Sequence, residues 1–174
     1  MEKSPEIPLL SMTFIDDGVF PNSELPVLVF QQVFSDGEVV APSEIEKTFH
    51  KNRWTGSWRN GLFSFHHYHS SAHEVLGIYS GWVKAELGGP SGKILAAKAG
   101  DVIVIPAGVV HKNIDQSIDF KVIGAYPKGQ IPDMKNGRPG ERPVSDQNIS
   151  LVKLPEYDPV QGLNGPLPGI WKNQ

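Results

Sequence analysis

Short apolar runs, separated by turns that contain glycine or proline, occupy the middle of the chain. Seven of these runs are candidate strands: 62–68, 75–79, 82–87, 94–97, 102–105, 110–114 and 120–126. An earlier apolar run over 26–34 predicts a further strand before them. Many short strands with closely spaced turns are typical of an antiparallel sandwich or barrel. The pattern therefore predicts an all-β fold.

One short helix is predicted ahead of these strands. Ser43, followed three residues later by Glu46, has the form of a capping box, which satisfies free backbone groups at the start of a helix. The helix should run from Ser43 to about Asn52. Ile45 and Phe49, four residues apart, would lie on its apolar side.

Proline interrupts both ends of the chain. Residues 1–25 are mixed in character and are expected to form an arm or an edge strand. Eight prolines fall within the last 48 residues, a density that leaves little room for ladder strands. Spaced large apolar residues in this segment predict an extended chain that packs on the barrel or on a second subunit. A disordered tail is the alternative that composition alone leaves open.

Charge and composition exclude several classes of function. A formal net charge of −3 over 174 residues, with no dense Lys/Arg tract, gives no electrostatic footprint for nucleic acid. No apolar run approaches the roughly 20 residues needed to cross a bilayer. The N-terminus lacks the apolar core of a signal peptide, and the absence of cysteine excludes thiolate metal sites and disulfides. We expect a single soluble, cytoplasmic domain with no nucleic-acid or membrane partner.

The candidate chemistry lies in a cluster of histidines. Five of the six histidines fall within 46 residues, and neutral imidazole is the commonest protein metal ligand near neutral pH. His67 and His69 are two residues apart, so both would point to the same face of a strand. Glu74 follows a short polar connection, and His111 follows a tight turn at 106–108. Three imidazoles and one carboxylate predict a mixed nitrogen and oxygen metal site.

The spacing of these residues resembles two motifs of the cupin superfamily. The first motif is matched at Gly61, His67, His69, Glu74 and Gly81. The second motif is matched at Gly100, Pro106, Gly108 and His111. The chain departs from the second motif at its end, because the family usually has asparagine four residues after the histidine. Here that position is Asp115, and the asparagine is Asn113.

The resemblance implies a double-stranded β-helix, the cupin jelly-roll barrel, over about 26–126. A proline-rich wrapping segment over 127–174 would complete a single domain of residues 1–174. The resemblance also implies one divalent metal ion per chain, with the ligands His67, His69, Glu74 and His111. Such a ligand set with open positions suits Fe, Mn, Ni or Co, and Zn is possible. Cupins commonly pair through a sheet, so a homodimer is expected.

Strand parity assigns side chains to the cavity around the ion. Phe63 and Phe65 share the face of His67 and should form an apolar floor beneath the metal. Leu76 and Ile78 have the parity of the ligand glutamate and should join them. Because ligand cavities are mostly apolar with a few polar groups, this lining suits a small organic molecule.

Parity also places the neighbouring polar residues. Asn113 shares a strand face with His111 and is a candidate to orient its ring, although a backbone carbonyl could do the same. His66 and His73 alternate out of register with the ligands, which predicts positions outside the cavity, with His73 at the surface or in a loop.

Aromatic residues elsewhere have a structural and a functional interpretation. Trp54 and Trp58 could form a rim around the cavity, but a place in the core or in a subunit contact is the commoner role. Packing or surface positions are likewise expected for four residues that could reach a substrate: Tyr79, Trp82, Lys84 and Tyr126.

The implied ligand set is compatible with several reactions. Two free positions on an octahedral ion allow a bidentate substrate, or a substrate together with O2. Isomerisation of a carbonyl compound needs a general base besides polarisation by the ion. No inward-facing carboxylate other than Glu74 is identifiable, which favours O2-dependent, dioxygenase-like oxidation. The alternatives are a metal-dependent isomerase or lyase, and a non-catalytic binder of a small ligand.

Overall fold

The computed structural model describes residues 6–34 and 40–174, and the strands in these ranges pair into two antiparallel sheets. In chain order the strands are β1 (Leu9–Phe14), β2 (Ser23–Phe30), β3 (Trp54–Asn60), β4 (Glu74–Ser80), β5 (Trp82–Leu87), β6 (Lys93–Lys98), β7 (Val102–Ile105), β8 (His111–Gln116) and β9 (Lys121–Pro127). The larger sheet has the order β1-β2-β7-β4-β9-β3, and the smaller has the order β6-β5-β8. The helices are α1 (Pro42–Lys51), α2 (Val144–Leu151) and α3 (Leu167–Lys172).

The two sheets enclose a common hydrophobic core. Strand β5 of the smaller sheet alternates, with Val83, Ala85 and Leu87 buried in the same cluster as Leu76 and Ile78 of the larger sheet. Side chains on alternate positions of facing strands thus meet between the sheets. The all-β prediction and the cupin jelly-roll arrangement are confirmed.

The larger sheet is also covered on its outer face. Strand β7, whose sequence is a continuous apolar run, is buried at all four positions because one face meets the barrel core and the other meets the helices. Helix α1 buries Ile45 and Phe49 against this outer face. Gly77 of β4 permits the contact, since a Cβ there would lie 2.6 Å from Ile45 Cγ2.

The start of α1 differs from the capping-box prediction. The N-cap residue is Ala41, no side chain caps the helix, and Ser43 is already inside the first turn. Pro42 explains the difference, because its fixed φ suits a first helical position and its missing N–H needs no partner there. The apolar side of the helix, Ile45 and Phe49, is as predicted.

Two strand predictions need correction, and one strand lies where none is predicted. The segment 62–68 is not a strand: it crosses between elements and makes only isolated bridges, His67 with His111 and Tyr68 with Lys135. Strand β3 was not predicted, because its residues are largely polar and do not alternate. Strand β2 ends at Phe30, before the left-handed backbone of Gln32 (φ 52°) turns the chain.

The described parts of both terminal segments pack on the barrel. The predicted N-terminal edge strand is β1, although residues 1–5 of the predicted arm lie outside the described ranges. The C-terminal segment contains α2 and α3 and contacts its own barrel, where the buried Trp171 donates a hydrogen bond from Nε1 to the Pro26 carbonyl (3.0 Å). Within the described residues, no helix has the length and apolar character that a membrane span requires.

Candidate metal centre

Two of the candidate ligands meet through a short backbone bridge. The His67 N–H donates to the His111 carbonyl (3.2 Å), and the His111 N–H donates to the His67 carbonyl (2.9 Å). This pair joins the connection after β3 to the start of β8, and it brings the two imidazole rings to 4.2 Å between centroids. One ring nitrogen from each of His67, His69 and His111 lies within 4.8 Å of the others. The three buried imidazoles are therefore placed so that they could bind one metal ion.

Glu74 completes the group at the first position of β4. Its Oε2 lies 3.4 Å from the Nε2 atoms of both His69 and His111, and its side chain is buried. Burial by itself would raise the pKa of this carboxyl, but the adjacent imidazoles of His111 and His69 outweigh it and hold the pKa below its usual range. Glu74 is therefore a carboxylate at neutral pH.

Each imidazole is oriented by a backbone carbonyl behind it. The Nδ1–H groups of His67, His69 and His111 donate to the carbonyls of Phe65 (3.1 Å), Asp133 (2.5 Å) and Val109 (3.0 Å), respectively. A carbonyl can only accept, so each Nδ1 carries a proton, and in the neutral imidazole the lone pair of Nε2 is then directed at the centre of the group. This is the arrangement that orients histidine ligands in metal sites.

The histidines differ in their acid–base properties. Burial, followed by the neighbouring His111, lowers the pKa of His67 to about 3, so this imidazole is neutral over the physiological range. Burial acts in the same direction on His69, but the adjacent Glu74 carboxylate outweighs burial and raises the pKa of that imidazole. Neutral imidazole is the form that binds metal, so His67 needs no deprotonation before it can bind an ion.

The C-terminal segment contributes to the site through Asp133. Besides the carbonyl that orients His69, its carboxylate accepts hydrogen bonds from the backbone N–H of Ser70 (2.6 Å) and from the Ser70 hydroxyl (2.5 Å). These bonds hold the connection that carries His69. The sequence interpretation missed this residue because it treated the segment only as a wrap, and nothing in the local pattern marks Asp133.

A cavity of about 250 Å³ opens beside the group. His67, His69 and Glu74 line it. Most of the other lining side chains are aromatic or apolar, namely Trp58, Leu62, Phe63, Tyr126 and Met134, and two are polar, Arg59 and Asn60. A small molecule in this cavity would therefore contact an apolar surface together with a few polar groups.

The predicted apolar floor is wrong. Phe63 lines the cavity as predicted, but Phe65 is not among the lining residues. The two rings are 49% and 46% exposed and stack on each other at 4.8 Å, so they form no buried floor. The reason is that 62–68 is not a strand, and alternation along it does not hold. Leu76 and Ile78 do share the inner face with Glu74, but they belong to the buried core and not to the cavity wall.

Asn113 does not orient His111. Its amide donates to the Leu62 carbonyl (3.5 Å) and contacts the Gln116 side chain, whereas the Val109 carbonyl holds the His111 ring. The His111 ring is therefore oriented by a backbone carbonyl, the second of the two predicted possibilities.

The remaining histidines of the cluster lie outside the group. His66 contacts Glu86 through Nε2 at 2.5 Å. His73 lies in the connection before β4, as one of its two predicted placements had it, but it is buried and not at the surface. Its Nδ1 accepts a hydrogen bond from the Ala107 N–H (2.9 Å), and its ring lies against Trp171. The C-terminal segment covers it, an arrangement that strand parity cannot reveal. Burial lowers the pKa of His73 to about 4, so it is neutral at physiological pH.

Tyr126 is the additional polar group in the cavity. It lies on β9 with its ring edge-on to His69 (6.1 Å between centroids), and its hydroxyl accepts a hydrogen bond from Trp58 Nε1 (2.8 Å). Burial, reinforced by the charge of Glu74, raises the pKa of the phenol, so the hydroxyl keeps its proton. Trp54 is in the core as expected, whereas Trp58 lines the cavity.

The chain was also compared with known proteins. No protein-family model matches it. It is 40% identical over 159 residues to YjlB of Bacillus subtilis (strain 168), a protein described as uncharacterized, and the match covers 91% of this chain and 93% of YjlB.

Two solved structures share a more distant likeness. The epimerase RmlC of Legionella pneumophila, in complex with dTDP-4-keto-L-rhamnose, has a TM-score of 0.40 and 12% identity over 70% of this chain and 72% of its own. Acireductone dioxygenase of Bacillus anthracis, with a cadmium ion, has a TM-score of 0.41 and 16% identity over 72% of this chain and 82% of its own. Neither likeness is close enough to bear on the ligand or the reaction. The two facing antiparallel sheets agree with the fold that the resemblance to the cupin motifs implies, and by its identity over nearly the whole length the chain belongs to the same family as YjlB.

Proposed function

We propose that this protein is a metal-dependent cupin enzyme that acts on a small organic molecule. The ion would be a single divalent cation with the ligands His67, His69, Glu74 and His111. The observation that carries the proposal is the proximity of the donor atoms: the three imidazoles each place a ring nitrogen within 4.8 Å of the others, and Glu74 Oε2 lies 3.4 Å from Nε2 of His69 and of His111. Every Nδ1 is already bonded to a carbonyl.

The nitrogen and oxygen atoms of the site are arranged to bind a cation and not to form hydrogen bonds with one another. With its proton on Nδ1, His111 presents the lone pair of Nε2 to Glu74 Oε2 at 3.4 Å. That Nε2 is buried and has no hydrogen-bond partner among the described residues. Two facing acceptors repel each other unless a proton or a cation lies between them. Fe, Mn, Ni and Co suit this nitrogen and oxygen set, and Zn is possible.

The charge of the site indicates what kind of ligand it would take. Three neutral imidazoles and one carboxylate leave a divalent ion with one net positive charge, which favours a singly charged oxygen ligand. Arg59 at the cavity edge adds little, because its guanidinium is bonded to both carboxylate oxygens of Glu46 (2.7 Å each). A compact molecule with an ionisable oxygen and an apolar body fits these walls.

O2-dependent oxidation is the preferred reaction. Among the described residues that line the cavity, Glu74 is the only carboxylic acid, so a second carboxylate that could act as a general base is lacking there. When bound, the ion would supply redox chemistry toward O2 or polarise a bound oxygen. Isomerisation of a carbonyl compound is the second candidate, because the Tyr126 hydroxyl offers a proton donor beside the same site.

Metal analysis of protein purified without a histidine tag tests the proposal. We expect about one ion per chain, and oxygen uptake with members of a panel of small enolic and phenolic acids. A chelator should abolish uptake but preserve the β-sheet circular dichroism, because two hydrophobic cores hold the sheets without the ion. Restoring the metal should restore uptake. If the metal-free protein unfolds, the ion is structural and the enzyme proposal fails.

We further propose that the protein is a homodimer. In the larger sheet β1 and β3 each have one edge that pairs with no strand of the described residues, and an open edge is a common place for a second subunit to add. Light scattering across a dilution series should return about 38 kDa, twice the chain mass of 19.1 kDa. A constant value near the chain mass would show a monomer.

A further inference from the structure

Trp58 and Tyr126 form a unit on neighbouring strands at the edge of the cavity. On β3, Trp58 is in register with Gly124 of β9, and a bulge between Thr55 and Trp58 shifts the strand there. A Cβ at Gly124 would lie 2.2 Å from the Trp58 ring. The glycine therefore provides the space in which the indole lies across β9 beside Tyr126.

The direction of the hydrogen bond within this unit follows from chemistry. An indole N–H can only donate, so Trp58 Nε1 donates to the Tyr126 oxygen at 2.8 Å. The phenol proton is then free to point to a second partner. Tyr126 lines the same cavity as His67, His69 and Glu74, so an acceptor on that side would meet this proton.

Glu74 is the competing acceptor within the protein. Its carboxylate lines the same cavity as Tyr126, but its Oε2 already faces the imidazole nitrogens of His69 and His111 at 3.4 Å. A cation held by this group would withdraw electron density from the carboxylate. An anionic oxygen of a molecule in the cavity would then be the stronger acceptor for the phenol.

We propose that Tyr126 is a ligand-binding residue that donates a hydrogen bond to an oxygen of the molecule bound beside the metal group, and that Trp58 is the positioning residue that directs this hydroxyl. The inference rests on the proposed function and deepens it. It specifies the ligand class as a small molecule with a singly charged oxygen, such as an enolate or a hydroxamate. An oxygen of this kind accepts from Tyr126, whereas a neutral nitrogen ligand does not.

The test measures binding to the Co(II)-loaded protein, with the visible cobalt spectrum as the signal. Acetohydroxamate is the oxygen probe, and imidazole is the nitrogen probe, which has no anionic oxygen to accept from Tyr126. We expect Tyr126→Phe to weaken acetohydroxamate binding about tenfold or more, since a hydrogen bond to a charged group is lost. Imidazole binding should stay within about twofold. Trp58→Phe, which removes the indole N–H, should show a smaller loss with the same selectivity.

Tyr157→Phe is the matched control, because Tyr157 lies outside the cavity with its ring under the Arg53 guanidinium (4.4 Å). It should bind both probes as the wild type does. The proposal is overturned if Tyr126→Phe binds acetohydroxamate as tightly as the wild type, or if both probes weaken equally in loaded, folded variants. A wild-type protein that takes up no Co(II) overturns the proposed function, and this inference with it.

Discussion

His69→Ala and His111→Ala are each expected to reduce the metal content of the purified protein from about one ion per chain to below roughly a tenth of that value. Each substitution removes one of three imidazole nitrogens that lie within 4.8 Å of one another. Elemental analysis together with a competition titration against a chromophoric chelator would measure the loss. Glu74→Gln should also weaken binding, because the amide keeps the shape of the side chain but removes the negative charge.

His66→Ala provides the matched control. His66 is the immediate neighbour of His67, but its imidazole contacts Glu86 and not the metal group. Its metal content should remain near that of the wild type. Loss of metal in the His66 variant together with full metal content in the His69 variant would contradict the proposed ligand set.

The sequence predicted which residues meet, although part of the reasoning was wrong. The spacing of two predicts that His67 and His69 share a strand face, yet 62–68 is not a strand. They converge because the His67 backbone bridges to His111 and Asp133 holds the connection at Ser70. The spacing of the histidines in the motif therefore predicts that they meet, although the strand alternation used to explain it is absent from 62–68.

Phe63 and Phe65 show where prediction from strand alternation fails. The prediction of an apolar floor requires side chains to alternate regularly along a strand. The backbone here is irregular, and both rings are partly exposed to solvent. Leu76 and Ile78 were assigned to the correct face because β4 is a regular strand that continues from Glu74. Parity arguments therefore held inside ladders and failed in the connection between them.

The remaining parts of the site depend on pairings that no local pattern reveals. Trp58 reaches Tyr126 only because β3 pairs with β9, and β3 has a polar sequence without alternation. Asp133 lies in a segment whose proline content predicts a wrap and says nothing of a polar contact to His69. The positions of Trp58 and Asp133 therefore depend on contacts between distant parts of the chain, which composition cannot predict.

Trp171→Ala is expected to lower the free energy of unfolding by about 3–5 kcal/mol, the range for truncation of a buried tryptophan. Trp171 is 2% exposed in the core on the outer face of the larger sheet. Its indole donates a hydrogen bond to the Pro26 carbonyl, and its ring lies 4.7 Å from that of His73. The substitution would leave a cavity and release α3 from β2. Urea unfolding of the metal-free protein, followed by far-UV circular dichroism, would measure the change.

Trp82→Ala is the control for this prediction, because Trp82 is 40% exposed and its truncation should cost less than about 1 kcal/mol. If the Trp171→Ala protein is too unstable to purify, Trp171→Phe keeps an aromatic ring, removes the indole N–H and should retain a measurable transition. Equal stability of the Trp171 and Trp82 variants would contradict the packing of the C-terminal segment on its own barrel. A loss at Trp171 that grows on dilution would instead indicate that the segment packs on a second subunit, because only an intermolecular contact depends on protein concentration.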